Sequence, residues 1–258
     1  MFKGRRIAVV VPAFNEAGKI ARTLRSIPGF VDHVIVVDDA SRDGTGRIAR
    51  RSQRRGLVVL SHDENRGVGA AIATGYAAAR DAGAEVTAVM AGDSQMDPAD
   101  LSALIEPVAF GRADYAKGNR FAWPGVYGVM PASRAVGNVV LSHLTRLASG
   151  YGRVFDSQCG YTAANRRALA VILSGPVFAR YGYPNDILCR LGAHGARVVD
   201  VAVRPVYGSE WRSGIRIAAV VTPLLRLMLR GMCARLLRGV QRRVLGARSV
   251  ALPDLPPP

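Results

Sequence analysis

An acidic cluster that follows an apolar run is the stretch of this sequence best suited to carry chemistry. The apolar run covers 86–90, and Asp93, Gln95 and Asp97 come soon after it. A buried strand that releases polar side chains at its carboxyl end is where α/β sheets bind ligands. Carboxylate and amide oxygens are hard donors, which suit Mg²⁺ or Mn²⁺ better than zinc. We therefore predict that Asp93 and Gln95 hold a divalent cation, which could neutralise a diphosphate leaving group.

Asp97 has a second interpretation. It stands directly before Pro98, with Asp100 in the following turn. An aspartate before a proline at the first helical position is typical of a helix N-cap. We favour the cap for Asp97 and the metal for Asp93 and Gln95.

The elements that must position these residues follow a repeated strand–helix pattern. Apolar runs of strand length cover 7–11, 34–37, 57–60 and 86–90, each with a helical pattern after it. Four such units in succession predict a mainly parallel sheet covered by helices on both faces. Since the carboxyl ends of parallel strands share one edge, the polar residues after these strands should converge in a nucleotide-type site.

The second half of the chain is less regular. We predict a short strand over 114–116, a polar turn over 117–120, a helix over 132–149 and a last strand over 198–203. A Gly- and Pro-rich segment over 123–131 is typical of an ordered substrate loop.

The charge of the chain is strongly positive and unevenly distributed. Its 258 residues carry a formal net charge of +16, which indicates an anionic partner: nucleic acid, a membrane surface or a phosphorylated substrate. Ten arginines and one acidic residue lie between Arg204 and Arg248, so much of the excess forms a local patch. Because no set of stacking aromatic residues accompanies these arginines, we expect no nucleic-acid partner.

The C-terminal part predicts basic amphipathic helices. Arginines recur every three to five residues over 226–242, with leucines between them. Such helices lie in the interface of an anionic membrane, although a solvated basic face packed on the domain gives the same pattern. We divide the chain into a globular domain over 1–212, a membrane-associating segment over 213–248 and a disordered tail over 249–258.

Targeting and cysteine patterns indicate a compartment. No stretch reaches 18 apolar residues, and the first six residues run into a strand without the apolar region of a signal peptide. Cys159, Cys189 and Cys233 lie far apart, as is typical of core thiols in a reducing compartment. We expect a cytoplasmic protein associated peripherally with the inner face of the cell membrane.

Six segments, in order through about 210 residues, together resemble family 2 glycosyltransferases. They are Val-Pro-Ala-Phe-Asn-Glu at 11–16, Val-Val-Asp-Asp-Ala-Ser-Arg-Asp-Gly-Thr at 36–45, Asn-Arg-Gly-Val-Gly at 65–69, Gly-Asp-Ser-Gln-Met-Asp-Pro at 92–98, Lys-Gly-Asn-Arg at 117–120 and Val-Tyr-Gly-Ser-Glu at 206–210. The resemblance is strongest to the branch of dolichyl-phosphate and polyprenyl-phosphate sugar synthases.

The resemblance implies an α/β GT-A fold that binds a nucleoside-diphosphate sugar and transfers the sugar with inversion. The residues that it places at the nucleotide are Pro12, Ala13, Asn15, Glu16, Asp38 and Asp39. Asp39 would lie near the base or ribose with Asp38 beside it, and a carboxylate suits ribose hydroxyls or the N–H edge of a base. Helix capping is an alternative role for Asn15 and Glu16 and could coexist with binding.

The resemblance also implies metal dependence. Asp93 would be the surviving carboxylate of the family's Asp-X-Asp motif and catalytic, with Gln95 as a second ligand to Mg²⁺ or Mn²⁺. Ala91 stands where the first aspartate of that motif usually is.

Four arginines are candidates for phosphate binding. Arg66 lies beside two glycines at a helix start, and Arg120 suits the diphosphate or an acceptor phosphate because guanidinium binds phosphate bidentately. Arg212 and Arg216 lie near the motif that closes the family's site. An ordinary surface arginine is the alternative for each of them.

Asp186 matches the position of the family's catalytic base. A base is needed if the acceptor is a hydroxyl, whereas the oxygen of a polyprenyl phosphate is already anionic. The alternative is that Asn185 caps a helix and Asp186 lies in its first turn. The four histidines are scattered, and we assign none of them to catalysis.

Together with the pattern of the residues, this resemblance implies an inverting glycosyltransferase that uses a nucleoside-diphosphate sugar and a polyprenyl-phosphate or lipid-linked acceptor. Two alternatives stay open: a soluble glycosyltransferase with a hydroxyl acceptor, and an inactive nucleotide-sugar-binding protein. The sequence disfavours a Rossmann dehydrogenase, because no G-x-G-x-x-G follows the first strand.

Overall fold

A seven-stranded sheet lies at the centre of the molecule. The structure is a computed structural model, and it describes residues 1–206, 226, 228–233 and 235–237. Its strands are β1 (Ile7–Ala13), β2 (His33–Asp38), β3 (Leu57–Ser61), β4 (Val86–Val89), β5 (Tyr115–Asn119), β6 (Thr162–Asn165) and β7 (Val198–Ala202). Their order across the sheet is β3-β2-β1-β4-β6-β5-β7.

Helices connect these strands and cover both faces of the sheet. They are α1 (Ile20–Ser26), α2 (Thr45–Arg50), α3 (Val68–Asp81), α4 (Leu101–Ala109), α5 (Val126–Val129), α6 (Ala132–Ser149), α7 (Arg166–Ile172) and α8 (Tyr183–Ala193). Single 3₁₀ turns occupy Pro98–Asp100 and Arg120–Ala122.

The first four strands confirm the predicted strand–helix units. β1 pairs in parallel with β2 and β4, and β2 pairs in parallel with β3. β1 is buried along its whole length: Val9 belongs to the core on one face and Val10 to the core on the other. A strand that is buried on both faces has a continuous apolar sequence. For this reason the apolar runs predict the strands of the parallel half of the sheet.

The second half of the sheet differs from the prediction. β6 is antiparallel to both of its neighbours, β4 and β5, and the sequence did not indicate it, because Thr-Ala-Ala-Asn has neither alternation nor an apolar run. β5 extends to Asn119, so Lys117, predicted in a polar turn, lies within a buried strand.

The C-terminal segment is described only in part. Met228 packs against Ala148 of α6 and Cys189 of α8, and residues 226, 228–233 and 235–237 are helical. Most of the predicted segment 213–248 and all of the tail 249–258 lie outside the described residues. Within the described part of the chain, no helix is both long and apolar enough to span a membrane.

Candidate functional site

Two cavities meet at Asp93, at the edge of the sheet where β1, β2 and β4 end. The first, of about 440 Å³, opens at these strand ends, and we call it the strand-end cavity. The second, of about 520 Å³, includes Arg120, Arg134 and Arg204 in its lining, and we call it the arginine cavity. Val68, Asp93 and Tyr181 line both cavities.

The strand-end cavity collects much of the predicted nucleotide site. The predicted residues in its lining are Pro12, Ala13, Glu16, Asp39 and Asp93. They come from the ends of β1, β2 and β4, which are adjacent in the sheet. The shared edge of parallel strands therefore brings together residues that lie up to 81 positions apart in the chain.

Asp39 is held in place by the loop that precedes α3. Its carboxylate accepts the backbone N–H groups of Arg66 at 2.9 Å and Gly67 at 2.7 Å. His62 Nδ1 lies 2.7 Å from Asp39 Oδ1, and His62 Nε2 lies 2.9 Å from the hydroxyl of Thr74. His62 thus helps to position Asp39. The isolated position of His62 in the sequence did not indicate this role.

Glu16 and Asp93 are two carboxylates in one cavity lining. Burial raises the pKa of Glu16, the hydrogen bond and charge of Lys19 oppose that rise, and the nearby charge of Asp93 adds to it. The Glu16 backbone N–H donates to the Thr45 hydroxyl at 2.8 Å, and its carbonyl accepts the N–H of Ile20 at the start of α1. Glu16 therefore combines the predicted helix-start role with a place at the cavity.

Asp93 has the surroundings of a cation ligand. Burial raises the pKa of its carboxyl group, while the N–H of Gln95, donated at 3.0 Å, and the charges of Lys19 and Arg134 oppose that rise. A partly buried carboxylate whose ionisation is disfavoured by desolvation gains from a bound cation.

The predicted metal ligands form a small donor set. Gln95 lines the arginine cavity next to Asp93. Across the described residues, no cluster of three or more His, Cys, Asp or Glu side chains could by itself hold a metal ion. One carboxylate and one amide nevertheless fit Mg²⁺ or Mn²⁺ when substrate phosphates complete the coordination, as is common for Mg²⁺.

Asp97 is the helix cap favoured from the sequence. Its carboxylate accepts the N–H of Ala99 at 2.9 Å, with Pro98 at the first position of the 3₁₀ turn. Asp100 accepts the backbone N–H of Arg204 at 2.6 Å. This hydrogen bond joins the 3₁₀ turn Pro98–Asp100 to the segment after β7 that lines the arginine cavity.

Arg120 lies in the arginine cavity and is held by Asp156. The Arg120 Nε and Nη2 atoms each donate to the Asp156 carboxylate at 2.7 Å, in the bidentate geometry that guanidinium favours. Burial would raise the pKa of Asp156, but the hydrogen bonds and charge of Arg120, together with the charge of Lys117, hold it below its usual value. Much of the charge of Arg120 is thus balanced within the protein.

Four predicted site residues do not line either cavity. Asp38 faces α2, where its carboxylate lies against Gly46 and accepts the N–H of Ser41. Asn15 is exposed and its side chain accepts the N–H of Arg42, so it joins two loops. Arg66 has an exposed side chain and contributes its backbone N–H.

Asp186 is the fourth of these residues, and its carboxylate is engaged by groups of the protein. Its carboxylate accepts the N–H of Phe178 at 2.9 Å and pairs with Arg190 at 3.0 Å. It therefore lies in the first turn of α8 and fixes the preceding loop, which was the alternative interpretation. Arg212 and Arg216 lie outside the described residues.

The predicted phosphate cradle at the start of α3 is occupied by the protein itself. The N–H groups of Gly69 and Ala70 donate to the carbonyl of Ala179 at 2.7 and 3.4 Å. Because these N–H groups already have an acceptor, they are not available as hydrogen-bond donors to a phosphate.

Several lining residues were not recognised in the sequence. Arg180 and Tyr181 enter the strand-end cavity from the loop before α8, and Arg134 of α6 and Arg204 after β7 enter the arginine cavity. Arg204 also lies over the ring of Trp123, 5.8 Å from its centroid. Their local sequences carry no motif, and they come from segments far apart in the chain, so only tertiary packing brings them to the cavities.

Comparisons with known proteins agree with this geometry. The model of glycosyl transferase family 2 matches residues 8–173. The UDP-N-acetylglucosamine–dolichyl-phosphate N-acetylglucosaminyltransferase of Methanococcus voltae is 28% identical over 216 residues, which cover 78% of this chain and 86% of the relative. The undecaprenyl-phosphate mannosyltransferase of Micrococcus luteus is 30% identical over 225 residues, which cover 84% of this chain and 91% of the relative.

A solved structure shares the architecture. It is glucosyl-3-phosphoglycerate synthase from Mycobacterium tuberculosis in complex with Mn²⁺, UDP-glucose and phosphoglyceric acid, which superposes with a TM-score of 0.65 at 25% identity. The similarity covers 89% of this chain and 80% of that structure.

Proposed function

Because this chain belongs to glycosyl transferase family 2, in its polyprenyl-phosphate sugar synthase branch, we propose that it transfers a sugar from a nucleoside-diphosphate sugar to a polyprenyl phosphate. The chain is a glycosyltransferase with the predicted GT-A fold.

The position of Asp93 at the junction of two cavities is the observation that carries the proposal. We place the nucleoside in the strand-end cavity, where Asp39 can accept hydrogen bonds from ribose hydroxyls or from a base N–H. The diphosphate would then extend toward Asp93, and the anomeric carbon of the sugar would lie near the mouth of the arginine cavity.

The arginine cavity suits a phosphate attached to a hydrocarbon chain. Its lining combines Arg120, Arg134 and Arg204 with apolar side chains such as Met96, Leu141 and Val203. A phosphate oxygen is anionic at neutral pH and needs no strong base, which agrees with the engagement of Asp186 elsewhere. Two relatives are named for transfer to dolichyl phosphate and undecaprenyl phosphate, and these names support the same acceptor class.

The reaction would be a single displacement. An acceptor phosphate oxygen forms a bond to the anomeric carbon, and the bond from that carbon to the diphosphate breaks, with the electron pair leaving on the diphosphate. Approach from the arginine cavity, on the side of Asp93 away from the nucleoside, would invert the configuration at the anomeric carbon.

Asp93 and Gln95 would hold Mg²⁺ or Mn²⁺ together with the donor. A divalent ion at this position supplies positive charge to the departing diphosphate. The solved structure that contains Mn²⁺ and UDP-glucose supports a metal in this fold.

We place the reaction at the cytoplasmic face of the cell membrane, with the protein bound peripherally. The hydrocarbon chain of the acceptor requires a bilayer, and the arginine-rich sequence over 213–248 would bind its anionic surface.

A donor screen with a polyprenyl phosphate and Mn²⁺ or Mg²⁺ tests the proposal. We expect the purified protein to transfer one sugar, and the Asp93→Asn variant to lose about a hundredfold or more in kcat/KM, because a charge that stabilises the transition state is removed. The exposed Asp81, paired with Arg80 at the surface, gives the control variant Asp81→Asn, which should match the wild type.

The other outcomes separate the alternatives. Transfer to a hydroxyl acceptor, but never to a polyprenyl phosphate, would replace the acceptor assignment. Donor binding without transfer to any acceptor would indicate an inactive binding protein, and the absence of donor binding would refute the donor site.

A further inference from the structure

One face of α6 carries three exposed apolar side chains, with the exposed His143 among them. Val136, Val140 and Leu147 are 65%, 53% and 67% exposed, and their spacing of four and seven residues places them on one side of the helix. Tyr127 of α5, just before α6 in the chain, is 76% exposed. We call Tyr127, Val136, Val140 and Leu147 the docking face. Aliphatic side chains in such a stripe are typical of an interaction surface, unlike single exposed apolar residues.

The segment that contains the docking face carries charge of one sign. Between Asp114 and Asp156 the sequence has five lysines and arginines and no carboxylate. Lys117 and Arg120 are buried, but Arg153 is exposed and Arg134 and Arg146 are half-buried. Apolar side chains flanked by arginines match the interface of an anionic bilayer, where arginines lie at headgroup level. Two copies of this chain would bring like charges together at this face, which disfavours self-association.

The docking face adjoins the arginine cavity. Ser133, Arg134, Gly137 and Leu141 of α6 line that cavity, while Val136 and Val140 of the same helix point to solvent. A bilayer that covers the apolar side of α6 would thus lie next to the entrance for a phosphate carried on a hydrocarbon chain.

The described C-terminal residues extend this surface. Arg235 donates to the carbonyl of Leu147 at 3.0 Å, and Met228 packs beside Ala148. Leu236 and Leu237 are 58% and 64% exposed. The described helical residues of the C-terminal part therefore contact the end of α6, and both have exposed apolar side chains.

We propose that the docking face of α5 and α6 is a membrane-binding surface of the catalytic domain, which inserts its apolar side chains into an anionic bilayer and presents the arginine cavity to the lipid headgroups. This inference builds on the proposed function for the role of the cavity, but membrane binding itself can be measured without any donor.

The test is flotation of the full chain with vesicles. We expect binding to vesicles of phosphatidylcholine and phosphatidylglycerol that weakens with salt and is low for phosphatidylcholine alone. The double variant Val136→Glu/Val140→Glu should bind these vesicles at least about tenfold more weakly than the wild type. It lacks two apolar side chains that would leave water on entering the bilayer. Val58→Glu is the matched control, since Val58 is 47% exposed on the edge strand β3, and it should bind like the wild type.

A second measurement separates docking from damage to the site. Transfer to a short, water-soluble polyprenyl phosphate without vesicles should be equal in the double variant and the wild type. Loss of this transfer in the double variant would indicate a damaged site and overturn the assignment. Equal vesicle binding by both proteins, no binding by the wild type, or a wild-type dimer that the variant converts to a monomer would also overturn it. If neither protein transfers sugar, the proposed function fails, while the flotation result still decides the membrane surface.

Discussion

Asp93 and Asp186 are the same residue type in different surroundings. Asp93 lies at the junction of two cavities, and burial raises the pKa of its carboxyl group. Asp186 faces the 173–182 loop, where Arg190 and the Phe178 N–H satisfy it. Because both oxygens of the Asp186 carboxylate already accept hydrogen bonds within the protein, we propose a structural role for Asp186.

The Asp186→Asn variant tests this assignment. We expect kcat for transfer to a polyprenyl phosphate to stay within about threefold of the wild type, with a loss of stability of about 1 kcal/mol from the half-buried ion pair. Steady-state kinetics and urea unfolding would measure the two effects. A drop of about a hundredfold in kcat at unchanged donor KM would restore Asp186 as the base.

At the scale of elements, α3 and the 173–182 loop together form one wall of the strand-end cavity. The start of α3 donates two N–H groups to the Ala179 carbonyl, and the next residues of the loop, Arg180 and Tyr181, line the cavity. The close approach of α3 to this loop requires glycine at position 69, because a Cβ on Gly69 would overlap the carbonyl oxygen of Phe178. The position of the loop is therefore set by the backbone of α3.

Substitution of Gly69 by Ala should displace this loop. We expect a loss of about 1–3 kcal/mol in stability from overpacking and a higher donor KM, since Arg180 and Tyr181 move with the loop. Thermal unfolding and donor titration would check both effects. Gly29→Ala is the control, because a Cβ at Gly29 has open space around it. An unchanged donor KM in a destabilised Gly69→Ala variant would show that the loop does not shape the donor site.

At the scale of the whole molecule, the chain has many more basic than acidic side chains, and some of its carboxylates form ion pairs with arginines. The net charge is +16, and Asp156 and Asp186 pair with Arg120 and Arg190, whose side chains are largely covered by the protein. Asp156 is fully buried and holds Arg120 between β5 and the loop before β6. The removal of one partner of such a pair leaves a buried charge unpaired, which is strongly destabilising.

The pH dependence of stability should report this ion pair. Since the pKa of Asp156 in the folded protein lies below its ordinary value of 3.8, its contribution is present above that value and is lost as the pH falls through the folded pKa. Asp156→Asn should cost about 3–5 kcal/mol near neutral pH.

Urea unfolding from about pH 5 to about pH 3 would compare the variant with the wild type. The decrease on acidification should be smaller in the variant, whereas Asp81→Asn should follow the wild type. Parallel pH curves for the wild type and Asp156→Asn would contradict the role of this pair.

The sequence by itself determined the parallel half of the sheet and the chemistry at its edge. Continuous apolar runs identify strands buried on both faces, and the turn that follows each strand must carry its polar residues to a common edge. Asp39 and Asp93 could be placed at a nucleotide-type site for this reason, and the helix cap at Asp97 follows from its position before Pro98.

Only the tertiary structure decided which of these residues face the cavities. The antiparallel β6, the Asp156 partner of Arg120 and the loop that delivers Arg180 depend on contacts between segments far apart in the chain. Adjacent residues such as Asp38 and Asp39 point to opposite sides because side chains alternate along an extended chain. Local sequence specifies that polar groups follow a strand, whereas the packing of helices and loops around it decides which group remains available to a ligand.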